Sequence, residues 1–144
     1  MKRAGVAAAL LVATLLVGGC SATTVTATFN PTASAAPAAG SSLSAADFAA
    51  AAKLPDTVLL DVRTPSEFAA GHIAGAVNID VESATFPQLV AALDPTKNYA
   101  VYCRSGSRSK AAMSAMEQAG FSHLFDLAGG IGAWQSSGGQ LVTT

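Results

Sequence analysis

From residue 43 onward the chain alternates short apolar runs with stretches whose apolar side chains recur at helical spacing. Thr57 to Val62 is a β-branched and apolar run without clean alternation, the pattern of a strand buried on both faces. Ala76 to Ile79 predicts an edge strand, Asn98 to Tyr102 another strand and His123 to Leu127 the last. Between them, Ser44 caps a short helix that runs to about Lys53, ahead of Pro55. Thr64-Pro65-Ser66-Glu67 opens a second helix with the spacing of a capping box and a proline in the first turn, and Gly71 stops it before the turn His72 to Gly75. A third helix is predicted from about Pro87 to Leu93, broken by Asp94-Pro95.

Lys110 to Gln118 predicts a fourth helix, with Ala112, Met113, Met116 and Ala119 on a core-facing stripe and Gly120 at its end. Ala128-Gly129-Gly130 turns into a short closing helix that carries Trp134. Strands alternating with helices over so short a chain imply an α/β domain with a mostly parallel sheet covered on both faces. Ligands of such sheets bind at the carboxyl ends of the strands.

The chemistry sits at one such end. Cys103 opens the run Cys103-Arg104-Ser105-Gly106-Ser107-Arg108-Ser109, where the strand ending at Tyr102 hands over to a helix. A loop in that position points several N–H groups inward, and the helix N-terminus adds partial positive charge, so an anion is welcome at its centre. The thiolate is the first anion it can hold. The guanidiniums of Arg104 and Arg108 are expected to lower the Cys103 pKa further and to attract an anionic substrate. The bland alternative is a buried structural cysteine followed by a solvated turn.

The N-terminus changes the picture of where this domain works. Met1-Lys2-Arg3, the apolar run Ala4 to Val17 and Gly18-Gly19 have the zones of a secretory signal peptide, and the run is short for a membrane span. Val17-Gly18-Gly19-Cys20 resembles the lipobox of bacterial lipoproteins, in which Cys20 would be lipidated after removal of residues 1–19. The alternative is an ordinary cleaved signal with Cys20 free to pair with Cys103. Residues 20–42 hold no charge and are mainly Ala, Thr, Ser and Pro, a composition expected to stay a disordered tether ahead of a domain at 43–144. As a flexible coil the tether would span on the order of 25 Å. The formal charge of the whole chain is −1. Without Lys2 and Arg3, six basic residues face nine acidic ones, which suggests no affinity for nucleic acid.

Several of these pieces together resemble the single-domain rhodanese-like sulfurtransferases. They are Leu60-Asp61-Val62-Arg63, Glu67-Phe68 with Gly71 through Ile79, the Cys103 loop, and Gly129-Gly130-Ile131-Gly132-Ala133-Trp134. The resemblance implies a central parallel five-stranded sheet with helices on both faces. It implies that Cys103 accepts a sulfane sulfur as a persulfide and passes it to a thiophilic acceptor, a thiol or cyanide, with no cofactor. The loop residues Arg104, Ser105, Gly106, Ser107, Arg108 and Ser109 would bind a small anionic donor, and because members of the family that prefer mercaptopyruvate have a less charged loop, the two arginines favour thiosulfate or a similar inorganic donor.

Asp61 and Arg63, at the end of their strand, either shape the pocket rim or form an ordinary strand-end ion pair. His72 is expected to fix its turn by hydrogen bonding, and His123 to be structural. No His/Cys spacing suits a metal, and no phosphate-binding glycine motif occurs. Cysteine phosphatases of the same fold place five residues between cysteine and arginine, whereas four lie between Cys103 and Arg108. A non-catalytic binding module, or a persulfide or redox relay at the cell envelope, is the alternative of a different class.

Overall fold

A computed structural model describes residues 35–144. The stretches expected to form a signal peptide, a lipidated Cys20 and a tether lie, up to residue 34, outside the described residues. The elements run β1 (Ser41–Leu43), α1 (Ala45–Ala51), β2 (Thr57–Asp61), α2 (Pro65–Ala70), β3 (Val77–Asn78), α3 (Phe86–Ala91), β4 (Asn98–Tyr102), α4 (Ser107–Gln118), β5 (Leu124–Leu127) and α5 (Gly130–Ser136). The five strands form one sheet in the order β1-β5-β4-β2-β3, and every pairing is parallel.

Period-two alternation along the central strands divides the core between the two faces. Leu60, Val62, Tyr99, Val101, Cys103 and Leu124 join Phe86 and Val90 of α3 and Ala112, Met113 and Met116 of α4. Ala100, Tyr102, Phe125 and Leu127 point the other way, toward Phe48 and Ala51 of α1 and Ile131 of α5. The predicted stripe on α4 holds except at Ala119, which is exposed at the C-cap; Phe121 is buried beyond the turn instead.

Two caps anticipated from the sequence are formed. Ser44 Oγ accepts from the Asp47 N–H, and Thr64 and Glu67 make a complete capping box on α2. The tether boundary is corrected. Ser41 and Ser42, assigned to the tether, belong to β1, where Ser41, Ser42 and Leu43 pair with Phe125, Asp126 and Leu127. A three-residue strand of two serines and one leucine has little pattern of its own and is specified by the edge it completes. Beyond α5 the tail returns, and His72 and Val142 exchange backbone hydrogen bonds of 2.9 Å. His72 Nδ1 lies 2.9 Å from the Phe68 carbonyl, to which it donates, and its ring stacks on Phe68 at 3.7 Å, the turn-fixing role expected of it.

Candidate active site

β4 delivers Cys103 to the end of the sheet, and α4 starts four residues later, so the intervening backbone curls around the sulfur. Gly106 makes this curl possible with φ of 102°, a left-handed conformation that side-chain-bearing residues rarely adopt. Its N–H donates to Cys103 Sγ at 3.0 Å. Ser109 Oγ, on the first turn of α4, lies 3.7 Å from the same sulfur. Cys103 is a free thiol, only 1 % exposed. Burial pushes its pKa up, but hydrogen bonds from the backbone N–H groups of Ser109, Gly106 and Ser105, with a smaller contribution from the Ser109 hydroxyl, outweigh burial and hold the thiol below its ordinary value.

The inward N–H groups act as expected, but the further lowering expected from Arg104 and Arg108 is corrected, since neither guanidinium is among the leading causes. The work is done by backbone dipoles. The Arg108 guanidinium instead binds Glu67 through two 2.8 Å hydrogen bonds and Glu82 through one of 3.1 Å. Arg104 is exposed and has no side-chain hydrogen bond or ion pair among the described residues. Ser105 and Ser107 are exposed on the loop, while Gly106 and Ser109 are buried beneath it.

Glu67 was legible only as a helix cap; its ion pair spans 41 residues of sequence. The Arg108 hydrogen bond is the main cause that lowers the Glu67 pKa to about 2, against partial burial and with help from Thr64. Since the folded value lies below the ordinary 4.5, this pair contributes stability above about pH 4.5 and loses it as pH falls toward 2. Both side chains are partly exposed, so the contribution is modest. Glu67→Gln is expected to flatten that acid limb when the thermal midpoint is followed from pH 6 to pH 2; an unchanged limb would remove the pair from the account.

The start of α5 clasps the loop from the other side. Ile131 N–H donates to the Cys103 carbonyl at 2.9 Å. At Gly130, with φ of 59°, a Cβ would meet the Cys103 carbonyl oxygen at 2.5 Å. Gly130→Ala therefore cannot be accommodated without shifting the loop. It is expected to cost about 2 kcal/mol or more and to raise the pH at which Cys103 is alkylated, readable in a denaturant titration and a pH–alkylation profile.

Asp61 and Arg63 are brought together, but not at the sulfur. Asp61 is fully buried and Arg63 is 5 % exposed. The guanidinium holds both carboxylate oxygens, at 3.0 Å and 2.6 Å, and donates to the Gly71 carbonyl at 2.8 Å. It also lies 5.7 Å from the Tyr102 ring centre. Burial and the adjacent Asp61 carboxylate push the Tyr102 phenol well above its ordinary range, and that phenol accepts the Ile73 N–H at 3.1 Å. The pair thus ties the end of β2 to the end of α2, a buried strand-end staple rather than part of the loop.

Asp126 was missed. It is fully buried on β5, accepting from Ser42 at 2.5 Å and from Ser109 at 2.8 Å. The signal was an acidic residue inside the apolar run Leu124 to Leu127. Among the described residues no cluster of His, Cys, Asp and Glu suits a metal ion, and no helix is long and apolar enough to cross a membrane.

The rhodanese-like domain family matches residues 44–137. A sulfurtransferase of Allochromatium vinosum is 34 % identical over 87 residues, covering 60 % of this chain and 79 % of the relative. Thiosulfate sulfurtransferase GlpE of Pseudomonas aeruginosa is 37 % identical over 78 residues, covering 54 % and 69 %. Among solved structures, a rhodanese-related protein of Thermoplasma volcanium superposes with a TM-score of 0.64 at 35 % identity, over 72 % of this chain and 99 % of that one. With the five-stranded parallel sheet and a cysteine cradled at its carboxyl end, the chain belongs to the rhodanese-like domain family and has sulfurtransferases among its relatives.

Proposed function

We propose that this protein is a sulfurtransferase that takes a sulfane sulfur from thiosulfate, or a similar small anionic donor, onto Cys103 and passes it to a thiophilic acceptor. The observation that carries this reading is a free thiol whose pKa is held down by converging N–H groups inside a closed loop. Such a cradle stabilises the attacking thiolate, and afterwards the persulfide anion, without a cofactor. The thiolate attacks the outer sulfur of thiosulfate, an S–S bond forms to Cys103, and sulfite leaves with the electron pair of the broken S–S bond. In the second half, an acceptor thiolate or cyanide attacks the outer sulfur, and the Cys103 thiolate departs into the same N–H groups.

Burial makes the sequence of events one-directional in space. Cys103 is 1 % exposed, so bulky thiols are kept from it, while the persulfide carries the reactive sulfur about 2 Å further out, toward them. Arg104 at the rim supplies positive charge for the approaching anion. Arg108, engaged by Glu67 and Glu82, supports the loop and would meet the donor only in exchange for a carboxylate. The charged, apolar and small-residue start followed by Cys20 supports display on the outer side of a membrane through a lipid anchor.

Steady-state kinetics test the reading. Thiocyanate formed from thiosulfate and cyanide should follow a ping-pong pattern, with parallel double-reciprocal lines. Absence of turnover with a folded protein and a free Cys103 would favour the binding-module reading instead.

A further inference from the structure

Ser109 Oγ has a single proton and three candidate acceptors. The Gly106 carbonyl lies at 2.9 Å, Asp126 Oδ2 at 2.8 Å and Cys103 Sγ at 3.7 Å. Asp126 is fully buried, and its two side-chain hydrogen bonds come from the hydroxyls of Ser42 and Ser109, with no cation among the donors. A carboxyl oxygen faced only by hydroxyl donors is the natural acceptor of that proton. The distances rank the same way, with sulfur last.

We propose that Asp126 is a positioning residue for the Cys103 chemistry: by accepting the Ser109 hydroxyl proton it limits the hydrogen bond that this hydroxyl gives the sulfur, which is left mainly to backbone N–H groups. The consequence is a balance. The N–H groups make the thiolate available, while the weakened hydroxyl bond keeps it basic enough to attack, since thiolate nucleophilicity falls as its pKa falls. Ser109 Oγ is then turned to receive the S–H of the neutral thiol, the direction in which Cys103 faces it. Ser42 completes the arrangement from β1, whose register places it opposite Asp126. A cavity of about 180 Å³ adjoins this corner, lined by Ser42, Ser105, Lys110, Asp126 and Gly129 among others. The charged groups facing it are Asp126 from β5 and Lys110 from α4; β1 and the turn before α5 contribute none.

The inference rests on Cys103 being the reacting thiol, so its test reads alkylation and not sulfur transfer. Iodoacetamide is applied to the full-length protein across pH, and modification is followed on the Cys103 peptide by mass, so that Cys20 does not contribute. Asp126→Asn exchanges the carboxyl for a weaker acceptor, and Asp126→Ala removes the acceptor altogether, so that the Ser109 proton becomes available to the thiolate. The midpoint of the profile is expected to fall by about half a pH unit or more, and the plateau rate above it to fall severalfold. In a Ser109→Ala background the same substitution should produce less than half of that shift, because the effect runs through the hydroxyl. Asp126→Ala carries the same expectations should Asp126→Asn not fold, as judged by its thermal transition. An unmoved midpoint in the folded variant, or a shift that persists undiminished without Ser109, overturns the proposal.

Discussion

Cys103→Ser is expected to abolish sulfur transfer while leaving the fold in place. Serine retains the shape of the side chain, and its Oγ can still accept the Gly106 N–H that now meets Sγ at 3.0 Å. The hydroxyl has no accessible anionic form in this pH range and forms no persulfide, so both halves of the reaction lose their covalent carrier. Turnover should fall by at least about 10⁴-fold, to the level of the uncatalysed exchange, as expected when a covalent nucleophile is removed. The thermal midpoint should move by no more than a few degrees, because one small buried group is exchanged for another. Residual turnover within tenfold of the parent would mean that Cys103 is not the carrier.

The largest expected loss of stability comes from a different corner. Asp61→Ala strands the Arg63 guanidinium, 5 % exposed, with only the Gly71 carbonyl to satisfy it. Removing one partner of a buried pair leaves an uncompensated charge and costs about 3–5 kcal/mol. A domain of this size has on the order of 5–15 kcal/mol in total, so the variant should be close to unfolding at physiological temperature. Its urea midpoint should drop sharply with an unchanged slope. The paired change Asp61→Leu with Arg63→Met should recover most of the loss, since it removes both charges and keeps the volume. Less than about 1 kcal/mol lost in Asp61→Ala would return this pair to the class of weak surface bridges.

The functional reach of that staple is indirect. It joins the end of β2 to Gly71 at the end of α2, and α2 presents Glu67 to Arg108 on the first turn of α4. The active-site loop is therefore braced on one flank by α2 and on the other by the Gly130 turn of α5.

What could be read from the sequence was local. The strand, loop and helix around Cys103 follow from an apolar run, a glycine and a helix former in succession. The caps at Ser44 and Thr64 depend on neighbours three residues away. What escaped was set by pairing across the chain. β1 has a single apolar residue, too few to make a strand pattern, and exists because β5 offers an edge; Asp126 reads as part of a strand until β1 and α4 place Ser42 and Ser109 against it. Arg108 looked like a donor ligand because nothing in the loop reveals that Glu67, 41 residues earlier, lies beside it. The charge pattern of the loop thus overstated the part of the guanidiniums in lowering the Cys103 pKa, whereas the backbone contribution was legible from the strand-loop-helix setting.

The most direct measurement is the mass of the Cys103 peptide after reduced full-length protein is mixed with thiosulfate and then with cyanide. The expected result is a gain of one sulfur atom on that peptide, sulfite released in equal amount, and loss of the added sulfur as thiocyanate on exposure to cyanide. A folded protein with a free Cys103 thiol that gains no sulfur from thiosulfate would contradict it.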